Sequence, residues 1–250
     1  MLSCGQPFGK TAFVRGRVSE SGCKSIIRRS MADANRRSRR KGEGRKEVAD
    51  LNRSDAEDRS LAWEEIRREH LIHDQWIDFR RSAYRYPDGR VFEPFYTYSK
   101  KDYSVVVART EEGKYLCVRQ FRQGLREVTT EFPAGGIEHG EGERPGPAEA
   151  LAAAKRELRE ETGYASDRWT HLLTVPSHAT LSDNYAHLFL AEDCRPVSGQ
   201  QLDETEVLKV IQLSGEEIES LIASGGFQQA VHILAWLLYL RIRRSQSREE

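Results

Sequence analysis

The alternation of apolar and polar positions predicts a series of β-strands that begins near residue 60. The stretch WIDFRRSAYRYPDGRVFEPFYTY consists of two runs rich in aromatic and β-branched residues, with Asp88-Gly89 between them. An Asp-Gly dipeptide between two strand-like runs is a strong signal of a β-hairpin. The stretch YSVVVARTEEGKYLCVRQF has the same organisation, with Gly113 at its turn. Further strands are predicted from HLLTVPS, YAHLFLAEDC and DETEVLKVIQLS.

Apolar residues with helical spacing predict three helices, near residues 148–162, 214–224 and 227–243. Pro147 at the start of the first helix and Gly163 just after its end are typical helix boundaries. Strands and helices are mixed without a regular β-α-β alternation. We therefore expect an α/β fold in which helices pack on a mixed sheet.

The charge of the chain is divided between a basic N-terminal arm and an acidic body. Residues 1–50 hold 13 Lys+Arg and 5 Asp+Glu, and the remaining 200 residues hold 26 basic and 34 acidic side chains. Residues 1–58 are rich in Arg, Ser and Gly, which predicts a disordered arm before a folded domain at 59–246. Met31, one of only two methionines, is a candidate for the true start of translation. The arm has the charge to contact nucleic acid, but no aromatic residues interleave with its charges.

The cysteines and the apolar runs favour a cytoplasmic protein without a membrane segment. Cys4, Cys23, Cys117 and Cys194 show no CxxC pair and no ligand-like histidine spacing, which favours reduced thiols over a disulfide scaffold or a zinc site. The longest apolar run, AVHILAWLLYL, is too short to cross a bilayer and is predicted to be a buried helix. The N-terminus lacks the continuous apolar core of a secretory signal.

The first predicted helix ends in RELREETG, residues 156–163, which carries Glu157, Glu160 and Glu161 within two turns. At about 100° per residue these acids share one face of the helix, beside the stripe that faces the core. Like charges at this spacing destabilise a helix by about 0.2–0.5 kcal/mol. The face is either a solvated surface balanced by neighbouring arginines or a binding site for Mg²⁺ or Mn²⁺, which prefer oxygen ligands.

The segment EFPAGGIEHGE, residues 131–141, precedes this helix, and together they resemble the signature of the Nudix hydrolase family. The signature reads G, five residues, E, seven residues, then R-E-(apolar)-x-E-E-x-G-(apolar). Gly135, Glu141 and the run from Arg156 to Tyr164 fill every named position, so the loop and helix span 135–164. One departure is that fourteen residues, and not seven, separate Glu141 from Arg156. The insertion lies in a Pro- and Gly-containing loop, where added length costs little, but it can displace Glu141.

The resemblance implies an α/β/α sandwich with a mixed sheet over 59–246, and an N-terminal β-hairpin region at about 76–98. It also implies divalent-metal-dependent hydrolysis of a nucleoside diphosphate that is linked to another group. By analogy, Glu157 and Glu161 are metal-binding and catalytic residues, with Glu160 in the same set. Mg²⁺ or Mn²⁺ is the implied cofactor.

Residues outside the signature look like the ADP-ribose pyrophosphatase branch of the family, because VRQFR is followed by TEFPAGGIE. The resemblance implies that Ala134 offers its backbone carbonyl to a metal and that Arg122 contacts the substrate. A late loop supplies the general base in that branch, and LDETEV is similar to it. Glu204 is therefore the first candidate for the base and Glu206 the second. A plain turn acid is an equally good interpretation of Glu204.

The loop PSHATLSDN departs from the PSPG…SE pattern of the branch. Asp183 occupies the expected acidic position and is predicted to bind substrate. His178 and Ala179 stand where Pro-Gly is expected, which leaves nucleoside diphosphate sugars other than ADP-ribose open. His178 and His139 either face the substrate or are simply exposed.

Members of the branch are typically homodimers that exchange N-terminal sheets, and the aromatic hairpin of this chain is consistent with such a dimer. On that hairpin, Trp76, Phe92 or Phe95 either stacks on a base or packs within the protein.

Three functions stay open at this point. The first is metal-dependent cleavage of ADP-ribose or a related nucleoside diphosphate sugar, giving a nucleoside monophosphate and a sugar phosphate. The second is another Nudix specificity, such as a dinucleotide, a coenzyme A derivative or a damaged nucleoside triphosphate. The third is a non-catalytic nucleotide sensor that binds nucleic acid through the arm. The intact Glu157, Glu160 and Glu161, and the lack of a winged-helix pattern, favour catalysis.

Overall fold

The computed structural model describes residues 55–138 and 144–246, with side chains from residue 58. The chain divides into two compact units between Ala62 and Trp63. The described part of the first unit contains helix α1, Asp55–Leu61. Nearly all of the predicted basic arm, including Met31, lies outside the described residues, as do His139 and Glu141 of the signature loop.

Within the described residues, the second unit contains eleven strands and three helices. The strands are β1 (Glu64–His73), β2 (Asp78–Arg85), β3 (Val91–Ser99), β4 (Tyr103–Thr110), β5 (Tyr115–Arg122), β6 (Glu127–Glu131), β7 (Ala134–Gly136), β8 (Tyr164–Ala165), β9 (Arg168–Pro176), β10 (Tyr185–Pro196) and β11 (Leu208–Leu213). The helices are α2 (Pro147–Thr162), α3 (Gly215–Ser224) and α4 (Ala230–Gln246).

The strands form a small sheet and a main sheet. The small sheet has the antiparallel order β1-β2-β3, and its β2–β3 turn contains Gly89 at φ +86°. This is the hairpin predicted at 76–98. Strand β1 was not predicted, because its sequence EEIRREHLIH is polar and nearly every residue in it is exposed.

The main sheet has the order β11-β5-β4-β10-β8, with β6 on β5, β7 on β4 and β9 on β10. Strands β4 and β10 run parallel, and the other paired strands are antiparallel. The sheet is therefore mixed, as the sequence predicts. Strand β11 begins at Leu208, so the DETEV part of the predicted last strand lies in the loop before it.

Helices cover both faces of the main sheet, and alternation along its central strands divides the core into two layers. In β4, Val105 and Val107 pack in one cluster with Trp236 of α4. Val106 and Ala108 belong to the other cluster, with the apolar stripe of α2. Successive side chains of a strand point to opposite faces, so one strand supplies both layers. The α/β/α sandwich expected from the sequence is confirmed.

Helix α2 has the limits that its sequence predicts. It begins at Pro147, and the Glu149 carboxylate accepts a hydrogen bond from the backbone N–H of Gly146 at 2.6 Å. It ends before Gly163, whose φ of +76° lies in the left-handed region and whose N–H donates to the carbonyl of Arg159. The carbonyl of Gly163 accepts from the N–H of Val197 and of Ser198, at 2.8 and 3.1 Å. These bonds fix the C-terminal end of α2 to the end of β10.

Cys117 and Cys194 are buried free thiols. Burial raises the pKa of Cys117 far above its ordinary value and that of Cys194 to about 12, so both are inert as nucleophiles. Cys4 and Cys23 lie outside the described residues. No helix in the described part of the chain is both long enough and apolar enough to cross a membrane.

Replacing Gly163 by alanine is expected to destabilise the protein more than the matched change at Gly225. Both glycines end a helix, with φ of +76° and +78°, so alanine costs about 1–2 kcal/mol of backbone strain at either position. A Cβ at Gly225 would meet nothing within 4 Å, whereas a Cβ at Gly163 would lie 2.3 Å from the carbonyl oxygen of Ser198. Urea unfolding of both variants measures the difference. Equal losses would contradict the close approach at Gly163.

Candidate active site

Two buried glutamates of α2 contact the short strand β7. Oε2 of Glu161 accepts a hydrogen bond from the backbone N–H of Ala134 at 3.0 Å. A Cβ placed on Gly135 would lie 2.0 Å from Cδ of Glu157 and 2.3 Å from both of its carboxylate oxygens. Only glycine leaves room for that carboxylate. The glycine of the signature is therefore required by its contact with the Glu157 side chain, and not by a special backbone angle.

Arg156 connects the acidic face to the same strand. Its guanidinium donates to Oε1 of Glu157 and to Oε2 of Glu160, each at 2.6 Å, and to the carbonyl of Gly136 at 3.1 Å. Glu157 is buried, whereas the side chain of Glu160 is about one-third exposed. The three acids predicted to act together thus lie at two depths, with Glu160 at the outer edge and paired with Arg156.

Burial is the main reason why Glu157 and Glu161, the inner pair of acids, have raised pKa values. It raises the pKa of Glu157 to about 7 and that of Glu161 to about 8. Arg156 opposes the shift at Glu157, and the Ala134 N–H opposes it at Glu161. Repulsion from neighbouring carboxylates adds to the rise at both residues. Two desolvated acids of like charge are unfavourable together unless a positive charge joins them.

This donor set fits a hard divalent cation. Mg²⁺ and Mn²⁺ take carboxylate and carbonyl oxygens. The carboxylates of Glu157 and Glu161 meet at a strand whose first residue is Ala134, the predicted carbonyl ligand. A cation bound between these oxygens would offset the two buried negative charges and would favour the ionised form of both carboxylates.

The two candidates for the general base differ in their relation to this pair. Glu204 is exposed in the loop before β11. Glu206 is half-buried, accepts a hydrogen bond from the Asp203 N–H at 3.2 Å, and its charge contributes to the raised pKa of both Glu157 and Glu161. Of the two candidates, Glu206, the second from the sequence, is the one whose charge acts on both glutamates of the pair.

A cavity of about 300 Å³ lies beside β7 and is lined by Tyr103, Arg122, Ala134, Gly135, Gly136, Gln229 and His232. The predicted substrate residue Arg122 is thus placed next to the predicted metal loop. Its guanidinium forms a bidentate salt bridge with Glu131. Nε lies 2.8 Å from Oε1, and Nη2 lies 2.5 Å from Oε2. Glu131 is fully buried. The pair holds Arg122 rigidly at the wall of the cavity.

Glu131 is kept ionised in spite of its burial. Burial would raise the pKa of this carboxyl, but hydrogen bonds from Arg122 and Thr129 and the positive charge of Arg122 outweigh burial and lower it. Gln229 also donates to Oε1 of Glu131, at 3.3 Å. The carboxylate therefore accepts hydrogen bonds from three side chains and holds Arg122 and Gln229 in their positions at the cavity.

His232 is a site residue that the sequence does not predict. Its Nδ1 accepts a hydrogen bond from the backbone N–H of Phe132 at 3.1 Å, and burial lowers its pKa to about 4. The ring is therefore neutral, with its proton on Nε2. This bond fixes the chain just before β7. The one signal in the sequence is a lone histidine within the apolar run AVHILAWLLYL.

Asp183 lies in the loop between β9 and β10 and is not among the residues that line this cavity. Its Oδ2 accepts hydrogen bonds from Arg80 Nη2 at 3.0 Å and from Ser99 Oγ at 2.5 Å, so it joins the loop to the small sheet. The side chain of His178, in the same loop, is exposed. Substrate binding by either residue stays a prediction.

The three hairpin aromatics have different surroundings. The ring of Phe95 packs against Trp63, Tyr84 and Phe92, with ring centroids 5.3–5.5 Å apart. Of the two alternatives, base stacking and packing within the protein, Phe95 follows the second. Trp76 and Phe92 are exposed.

Comparison with known proteins identifies a family and several relatives. Residues 100–236 match the NUDIX domain. The chain is 29% identical over 194 residues to the ADP-ribose pyrophosphatase of Bacillus subtilis (strain 168), which covers 75% of this chain and 97% of that protein. It is 36% identical over 110 residues to the ADP-sugar pyrophosphatase of Mus musculus, which covers 40% of this chain and 47% of that protein.

A third relative is the methanol dehydrogenase activator of Bacillus methanolicus, 30% identical over 141 residues, or 56% of this chain and 72% of that protein. Among solved structures, an ADP compounds hydrolase superposes with a TM-score of 0.62 at 19% identity, covering 75% of this chain and 98% of that chain. At this identity, the likeness to a solved structure shows the fold alone. The NUDIX match extends over more than half of the chain and contains the acidic helix, so this protein belongs to the Nudix family and is a Nudix hydrolase.

Proposed function

We propose that this Nudix hydrolase cleaves the pyrophosphate bond of ADP-ribose or a related nucleoside diphosphate sugar in a reaction that requires Mg²⁺ or Mn²⁺. The products are a nucleoside monophosphate and a sugar phosphate. The observation that carries the proposal is the burial of Glu157 and Glu161 together against β7. The names of two relatives, ADP-ribose pyrophosphatase and ADP-sugar pyrophosphatase, support the substrate class.

In this proposal, Glu157 and Glu161 hold the cation with the carbonyl of Ala134, and Glu160 completes the set from the outer edge. When bound, the cation neutralises charge on the pyrophosphate and lowers the pKa of an attacking water. Arg156 keeps Glu157 and Glu160 in place through its two 2.6 Å contacts. The acidic body of the chain would otherwise repel a polyanionic substrate.

The cavity beside β7 is the proposed place for the substrate. Arg122 uses Nε and Nη2 for Glu131, which leaves the other guanidinium N–H groups to donate to substrate oxygens. The bond to a buried, saturated carboxylate reduces the conformational entropy that Arg122 loses on binding. Asp183 is the second proposed substrate residue and would act from the loop bonded to the small sheet.

A substrate panel tests the proposed activity. The full chain is incubated with Mg²⁺ and, separately, with ADP-ribose, other nucleoside diphosphate sugars, a dinucleotide, a coenzyme A derivative and an oxidised nucleoside triphosphate. We expect the highest kcat/KM for a nucleoside diphosphate sugar, with release of a nucleoside monophosphate, and no turnover in chelator. A clear preference for one of the other three classes would refute the proposed substrate class.

Glu157→Gln and Glu161→Gln are each expected to lower kcat by at least about 100-fold, because a cation site contributes several kcal/mol of transition-state stabilisation. Mn²⁺ binding, measured by calorimetry, should weaken in parallel. The matched control is Glu219→Gln, an exposed glutamate of α3, which should change neither quantity.

The same two variants are expected to unfold at urea concentrations no lower than the metal-free parent. The neutral amide removes a desolvated charge that is repelled by its neighbours. Unchanged turnover and unchanged Mn²⁺ affinity in Glu161→Gln would rule out the metal assignment.

We propose Glu206 as the general base, with Glu204 as the alternative. Support comes from the half-buried position of Glu206 and from its electrostatic effect on both inner glutamates. Glu206→Gln should lower kcat by roughly 10²–10⁴-fold, the usual contribution of a positioned base, with little change in KM. Glu204→Gln, two residues earlier in the same loop and exposed, serves as the control and should stay close to the parent. If Glu204→Gln lowered kcat more than Glu206→Gln did, the base would be Glu204.

We also propose that the protein is a homodimer that associates through the small sheet. The first three strands and their turns expose an unusual number of large apolar side chains, namely Trp63, Ile66, Leu71, Ile72, Trp76, Val91, Phe92 and Tyr96. Exposed apolar surface of this extent marks an interaction site.

Sedimentation equilibrium is expected to give twice the chain mass for the parent and a weakened dimer for Phe92→Glu, which places a charge on that surface. Leu237→Glu is the matched control, since Leu237 on α4 is 55% exposed and Phe92 is 52% exposed. A monomeric parent, or equal weakening by both variants, would contradict association through the small sheet.

A further inference from the structure

Three side chains with metal-binding atoms converge at one end of the small sheet, separate from the acidic helix. They are His70 and His73 of β1 and Asp78 of β2, whose ligand atoms all lie within 4.8 Å of one another. Oδ1 of Asp78 is 2.6 Å from Nδ1 of His70 and 3.4 Å from Nδ1 of His73. Two imidazole nitrogens and a carboxylate oxygen form a donor set typical of Zn²⁺.

A β-bulge brings the two histidines to the same side of the strand. In a regular strand, residues three apart point to opposite faces, so the spacing HLIH gives no metal-site signal in the sequence. The pairing of β1 with β2 shifts register between His70 and Ile72, which leaves Leu71 as the additional residue. His73 then lies directly opposite Asp78. Bulges commonly redirect side chains in this way.

The turn between the strands holds the carboxylate in position. Asp74 Oδ1 accepts from the N–H of Trp76 at 2.8 Å and of Ile77 at 3.0 Å, and the Asp74 N–H donates to the Ile77 carbonyl at 3.1 Å. Asp78 Oδ2 also lies 3.8 Å from Nε of Arg80. The Asp78 side chain is only 17% exposed, whereas the two histidine side chains are 48% and 69% exposed. The set has an anchored inner ligand and an outer side that is open to solvent.

We propose that His70, His73 and Asp78 form a zinc-binding site, with the histidines bound through Nδ1 and the fourth position open to water. Zn²⁺ replaces the Nδ1 proton that joins His70 to Asp78. This proton leaves to solvent while Nε2 is protonated from solvent, so the bound ring stays neutral. The ion connects β1 to β2 across the bulge and fixes the turn that carries Trp76. Because the nitrogen donors favour Zn²⁺ and the inner glutamates offer only oxygen, the two sites differ in metal preference.

The test is a titration of the full chain with Zn²⁺ alone, in the Glu157→Gln/Glu161→Gln background, so that the proposed catalytic cation site does not contribute. We expect one zinc per chain by equilibrium dialysis. His70→Ala and His73→Ala in the same background should each weaken binding by at least about tenfold, because even loss of an outer partner of a metal ligand costs about 10–100-fold. His171→Ala is the matched control, an exposed strand histidine that should leave the affinity unchanged.

Two further readouts separate ligation from a structural effect. Imidazole ¹⁵N spectra should show zinc-dependent shifts at Nδ1 of His70 and His73 and no shift at His171. Amide exchange in the turn at 74–77 should slow when zinc is added to the background protein and stay unchanged in the His70→Ala/His73→Ala variant. No zinc uptake by the background protein, or equal uptake after both histidines are replaced, would overturn the proposal. Neither result bears on the pyrophosphatase activity, because the titrated background already lacks both inner glutamates.

Discussion

The burial of two carboxylates side by side, Glu157 against Gly135 and Glu161 against the Ala134 N–H, is the constraint on which the rest of the structure depends. Glu157 and Glu161 are almost fully withdrawn from water, and the pKa of each is raised by that burial. Such a pair lowers the stability of the fold, so the two core layers on either side of the main sheet must offset its cost. A cation at this position would offset the cost of the ionised pair, and this connects the fold of a Nudix hydrolase to its proposed chemistry.

The side chains around this pair are held by partners that leave them little freedom. Arg156 contacts two glutamates and the carbonyl of Gly136, and Arg122 is fixed by the buried Glu131. The neutral His232 fixes the backbone that leads into β7. Preorganised groups lose little entropy on binding and hold a substrate in reactive geometry. The side chains proposed to contact the pyrophosphate are therefore held by partners within the protein.

Features encoded locally could be predicted from the sequence, and features that depend on distant contacts could not. Pro147 and Gly163 gave the limits of α2, because each acts on its own few residues. The cavity residues Gln229, just before α4, and His232, within it, lie about 100 residues after Glu131, and only the packed sandwich brings them together. Strand β1 was missed because its exposed residues lack alternation. The bulge at Leu71 likewise arises from pairing with β2 and not from the local sequence.

The most direct test of the central claim is the anomalous scattering of Mn²⁺ in crystals grown with a non-hydrolysable nucleoside diphosphate sugar. We expect a peak bounded by the carboxylates of Glu157 and Glu161 and the carbonyl of Ala134, with the pyrophosphate of the ligand against it. A bound ligand with no manganese at these oxygens, or with manganese held elsewhere on the domain, would contradict it.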